Sequence, residues 1–230
     1  MSDYQPLDLS RFCNAGLEVL EALGRASDET LDVSTGKLSI HGLPFLVGSV
    51  DGSNKNCFVV MDGSSGSLTI PVDQPATRLI IAHTLLESDL EKGVDPGNLV
   101  AEYVCHLSGG DEVRVPIRER FDVSAIMTYS GRTGPVGGAP FRAVPSASTE
   151  LYPRYEGSWD KTGRRQTEVN TSGPSSFSSP FFLWTWKNPQ HDNTIESIEI
   201  VTKGPRLLIA GITLGQLDEH PFVRQGKRPT

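Results

Sequence analysis

Apolar residues in this chain recur at alternate positions in short runs, and Gly, Pro, Asn, Asp and Ser separate the runs. That is the pattern of half-buried strands joined by turns. The clearest case is LVAEYVCHL, Leu99 to Leu107, followed by the turn SGGDE and by Val113, Val115 and Ile117 alternating with Glu112, Arg114 and Arg118. Two alternating runs around a short Gly-bearing turn predict a hairpin. The same reading puts Glu102 and His106 on one face with Val100 and Val104.

Other runs follow the same grammar. Leu38 to Ile40 is a short extended piece before HGLPF, which reads as a turn punctuated by Gly42 and Pro44. Cys57 to Met61 is a compact apolar run, and Ser67 to Val72 alternates with period two. Arg78 to His83 is apolar on both faces, as a central strand is. FFLWTW (Phe181 to Trp186), TIESIEIV (Thr194 to Val201) and RLLIAGITLG (Arg206 to Gly215) predict three closing strands. Only Glu18 to Ala26 has a helical character, and Gly24 interrupts it.

Between Thr128 and Pro180 the pattern dissolves into Gly, Pro, Ser and Arg, yet the stretch holds Phe141, Tyr152, Tyr155, Trp159 and Phe177. A structureless insertion of that size inside a compact domain points to function. Short strands are expected around Phe141 to Val144 and Gln166 to Val169. The fold expected is all-β, an antiparallel two-sheet jelly-roll sandwich with long loops and little helix. It occupies residues 1–215 as one domain, with 128–180 as a variable ligand-binding region. A polar tail, 216–230, follows it, either a mobile end or the place where a longer chain was cut.

Composition narrows the function. The chain has 230 residues, 37% of them hydrophobic and 21% charged, which allows one real core. Its net charge of −7 disfavours nucleic acid, whose recognition rests on neutralising phosphates. No run approaches the about 18 apolar residues of a membrane span. The N-terminus has no apolar secretory region, and the three cysteines, Cys13, Cys57 and Cys105, read as buried thiols. A cytoplasmic protein is expected.

In order along the chain, HGLPF, LIIAHTLL, LVAEYVCHLSGGDEVRVPI, FLWTWKNPQHDNTIESIEI and LLIAGITLG resemble the galactose-binding-domain-like, or discoidin-like, β-sandwich superfamily. The resemblance covers about Ser39 to Gly215 with a gap across the variable middle. It departs from the family pattern at Ser108-Gly109-Gly110-Asp111, where an acidic DG turn is usual, and at His191, where a second turn proline is usual. It implies a jelly roll whose relatives are mostly non-catalytic modules. Some bind sugars, some hold a structural calcium, and many pack against a catalytic domain.

The candidate chemistry follows two lines. Tyr152, Tyr155 and Trp159, interleaved with Arg154, Arg164 and Arg165, combine flat aromatic faces with polar groups, as sugar sites do. The competing reading is rings covering a core edge. Alternatively, His83, Glu102, His106 and Arg118 on one sheet face would supply acid–base and anchoring groups to an enzyme acting on a carbohydrate or small polar molecule. A third reading is a packing or oligomerisation domain. Trp184 and Trp186 share one strand face and are expected to line the interior. Metal-ligand spacing is absent, DGSNKN (Asp51 to Asn56) reads as turn chemistry, and no cofactor is expected, although a calcium held by backbone carbonyls would leave no trace in a sequence. The partners expected are a carbohydrate or small polar ligand, a catalytic domain or identical subunits, with neither nucleic acid nor membrane.

Overall fold

The computed structural model describes residues 3–21, 33–40, 42–88, 94–95, 97–119, 121–125, 144–145 and 181–222. They form an antiparallel β-sandwich. Its strands are β1 (Tyr4–Pro6), β2 (Gly36–Ile40), β3 (Leu43–Val47), β4 (Val59–Met61), β5 (Ser67–Pro75) and β6 (Arg78–Leu85). After these come β7 (Leu99–Leu107), β8 (Glu112–Arg118), β9 (Val144–Pro145), β10 (Phe182–Lys187), β11 (Thr194–Thr202) and β12 (Leu207–Gly215). Residues 18–21 are helical, at the start of the expected Glu18 to Ala26 helix. Among the described residues no helix is long and apolar enough to cross a membrane.

One sheet runs β1-β12-β6-β10-β9, with β4 also paired to β12, and the facing sheet runs β5-β11-β7-β8. The predicted hairpin is present as β7–β8, in register from His106 opposite Glu112 to Ala101 opposite Ile117, with a bulge before Leu99 meets Arg118. Gly109 and Gly110 in its turn have φ of 100° and 87°, where a β-carbon would be strained. The three closing strands also form, but they do not lie side by side. β10 and β12 flank β6, while β11 sits in the other sheet between β5 and β7.

The main core lies between these sheets, where Leu79, Ile81, Leu85, Ile212 and Leu214 meet Ile70, Tyr103, Cys105, Ile198 and Ile200. A second core lies on the far face of the larger sheet. The hairpin β2–β3 covers it, packing Ile40, Leu43, Phe45 and Val47 against Ile80, Ala82, Leu208 and Ala210. Three layers result where two were expected. Covered on both faces, every residue of β12 is buried, and so is all of β6 after Arg78. This is why both read as unbroken apolar runs.

HGLPF is not a turn throughout. Ile40 pairs with Leu43, so the turn lies between these two residues, with Gly42 at φ 77°, and Pro44 lies within β3 opposite Ser39. A two-stranded ribbon has outer edges on which a missing N–H breaks no ladder. The Pro44 carbonyl accepts a 2.6 Å hydrogen bond from Thr213 Oγ1, which ties the hairpin to β12.

Two bulges correct the phase of strands whose apolar spacing departs from two. In β11 the register shifts between Ile195 and Ser197, so that Ile195, Ile198 and Ile200 all face inward. In β12 the shift between Ile209 and Gly211 lets Leu207 and Ile209 share the inner face with Ile212 and Leu214. Past β12 the chain stays on the fold. Gln216 N donates to Asp3 O, Lys187 Nζ lies 2.7 Å from Asp218, and Phe222 is buried in the second core. The polar tail expected from residue 216 is therefore docked through 222.

Candidate functional site

On β6 the odd positions face the opposite sheet, and they place His83 between the layers with Leu79, Ile81 and Leu85. It is 0% exposed. The Tyr103 hydroxyl, on β7, lies 2.7 Å from His83 Nδ1, and the Asp122 carbonyl oxygen lies 3.0 Å from Nε2. A carbonyl can only accept, so Nε2 carries the proton and Nδ1 accepts from the Tyr103 O–H. Burial lowers the His83 pKa to about 4, against a smaller upward pull from the Asp122 carbonyl. Burial also drives the Tyr103 hydroxyl well above its ordinary value. The Trp184 ring stands edge-on to Tyr103 at 5.2 Å. Trp184 lies in the main core and Trp186 packs against it, as expected of the pair.

Glu102 and His106 point the other way, to the outer face of β7 together with Val104. His106 lies between two carboxylates. Nδ1 is 3.7 Å from Glu112 and Nε2 is 3.4 Å from Glu199, across both neighbouring strands. Arg114 holds Glu112 at 2.5 Å, and Lys203 lies 3.3 Å from Glu102. The Glu199 carboxyl is held below its usual range first by a hydrogen bond from Ser67 and then by His106. Arg118, at the end of β8, donates from Nη1 to the Gly97 carbonyl at 3.0 Å.

The four residues of the proposed catalytic face are thus not on one face. β6 and β7 belong to different sheets, so His83 is enclosed between layers while Glu102 and His106 lie outside. Arg118 has one donor on the Gly97 carbonyl at the end of β8. Both His83 ring nitrogens are already engaged, which leaves neither to take a proton from a substrate.

One end of the sandwich carries a group of buried polar residues. Ser88 Oγ donates to Glu119 at 2.6 Å, and Glu119 is wholly buried. The Glu119 N–H donates to Asn98 O, and its carbonyl accepts from Gly97 N–H. Thr84 Oγ1 and Leu85 N both donate to the Ser124 carbonyl, and Ala125 bridges to Leu85. Sequence reading passed over Ser88, Glu119 and Asp122, because they follow the ends of strands, where no periodicity marks a buried position.

Ala125 stands beside Leu85, and Phe182 pairs with both His83 and Pro145, so the residues that flank the 126–180 stretch lie at the C-terminal end of β6. Tyr152, Arg154, Tyr155, Trp159, Arg164 and Arg165 lie outside the described residues, as do His41, Phe141 and the 166–169 segment. The expected strand ending at Val144 overlaps β9 at that residue.

DGSNKN is filled by its own turn. Asp51 accepts from Ser49 Oγ, Ser53 N and Ser53 Oγ, and these bonds lower its pKa to about 2, the Ser49 hydroxyl contributing most. Among the described residues no three His, Cys, Asp or Glu side chains are grouped to hold a metal ion. No family model, curated protein or solved structure matches this chain.

Proposed function

We propose that this chain is a non-catalytic binding or accessory module, a sandwich of the galactose-binding-domain-like kind with jelly-roll connectivity. Its ligand is a carbohydrate or a related small polar molecule. The observation that carries the reading is the common anchorage of the 126–180 stretch. Both of its ends are tied to the same end of β6, through Ala125 opposite Leu85 and Phe182 opposite His83. Segments carried beside a packed β-framework are where binding residues concentrate. Tyr152, Tyr155 and Trp159 supply the stacking faces in that stretch. Arg154, Arg164 and Arg165 supply donors that read hydroxyl or carboxylate groups.

The acid–base alternative loses its common face when His83 and His106 fall on different sheets. Calorimetric titration with neutral and uronic-acid oligosaccharides tests the binding proposal. Saturable heat that disappears in Trp159→Ala, with an unchanged melting temperature, is the expected result. Absence of heat for every sugar leaves a scaffold that works by packing.

A further inference from the structure

We infer that the Tyr103–His83–Asp122 bridge is an acid-released latch that ties residues 121–125, just after β8, to the two stacked sheets. One imidazole joins three parts of the fold. It sits on β6 in the larger sheet, takes the hydroxyl of Tyr103 from the facing sheet, and donates to the main chain of Asp122. Asp122 in turn organises its own segment. Its Oδ2 accepts from Arg118 N at 2.9 Å, closing the turn that follows β8.

The bridge works only with a neutral ring. The carbonyl of Asp122 requires a donor at Nε2, and the Tyr103 hydroxyl fills the lone pair at Nδ1. A second proton, at Nδ1, sets donor against donor and places a cation where water is excluded. From β7 the ring faces the Tyr103 hydroxyl, and from the 121–125 segment it faces Asp122. Its cross-strand neighbours are apolar, Phe182 on β10 and Ile209 on β12. Among the described residues neither ring nitrogen has a carboxylate partner.

When the segment opens, water reaches the ring and its basicity returns. Burial holds the closed-state pKa at about 4, against an ordinary value of 6.5. The closed state is therefore fully favoured above the ordinary value. It loses ground as pH falls from 6.5 toward 4, and below that the loss levels off. Across that window the closing equilibrium falls about tenfold per pH unit. This inference is independent of any ligand.

Residue-resolved amide hydrogen exchange between pH 7 and 3.5, corrected for intrinsic rates, tests it. In the native protein, protection over 121–125 should drop about tenfold per pH unit through the window, while β11 and β12 keep theirs. His83→Gln can donate to the carbonyl and accept from the hydroxyl but cannot titrate, so its protection should stay level. An equal fall in His83→Gln assigns the proton to another group and overturns the latch. So does unchanged protection in the native protein, or loss from 121–125 and the central strands together. Should His83→Gln fail to fold, NMR of the native protein decides. The His83 ring and the 121–125 amides should titrate together, and separate midpoints overturn the proposal.

Discussion

Gly211 faces Phe45 across the second core. A β-carbon on Gly211 would stand 3.1 Å from Phe45 Cδ1 and 3.2 Å from the Leu46 carbonyl oxygen. The ring has room to turn only against its own neighbours, and the carbonyl belongs to strand β3. The bulge in β12 and the close approach of the β2–β3 hairpin thus meet at a residue without a side chain. Gly211→Ala should lower stability by about 1–3 kcal/mol through overpacking. Urea denaturation will measure this. Gly63→Ala should cost much less, because its added carbon would meet Gly204 O at 3.4 Å, an ordinary contact.

Thr213 bonds the carbonyl of Pro44 from inside the larger sheet. In Thr213→Val the shape is kept and the donor is lost, which leaves a carbonyl unsatisfied at a buried position. The expected cost is about 1–3 kcal/mol. Hydrogen exchange should show the loss concentrated in β2 and β3, with β7 and β8 unaffected. A uniform loss across both sheets would show that the hairpin and the sandwich unfold as one unit.

Asp51 should titrate at about 2, well below the 3.8 of an unperturbed aspartate, because Ser49 and Ser53 donate to its ionised form. With the folded value depressed, the turn's contribution to stability is present above the ordinary carboxylate range. It is lost as pH falls through the folded value. Carboxyl NMR of the native protein measures the midpoint, and Ser49→Ala should move it upward.

All three cysteines are free, and burial raises their pKa values. Cys13 and Cys57 rise to about 11 and Cys105 to about 12. A thiol reacts as its thiolate, so these groups are poorly reactive near neutrality. Ellman's reagent at pH 8 should label the native protein slowly and release three thiols in guanidinium. Cys105, with no exposure at all, should be the last to react.

The β7–β8 hairpin was legible because alternation and a Gly-Gly turn are local signals that agree. The place of Trp184 was legible because it shares a strand face with Trp186, and two large rings side by side on one face are usually buried. Pro44 was misread because a proline looks like a breaker until its strand is seen to have a free edge. His83 and His106 were wrongly grouped because alternation assigns a residue to one of two faces of its own strand. It does not say which sheet the strand joins.

The amino-acid order alone determined that this is an all-β chain and roughly where most of its strands lie, because these depend on neighbours in sequence. Only the tertiary structure decided that β11 leaves its sequence neighbours for the other sheet and that a hairpin makes a third layer. It also joined His83 to Tyr103 and Asp122, and buried Glu119 beside Ser88. Those pairings depend on which apolar faces meet in space, and residues from 20 to 169 positions apart in a chain carry no mark of one another until they do.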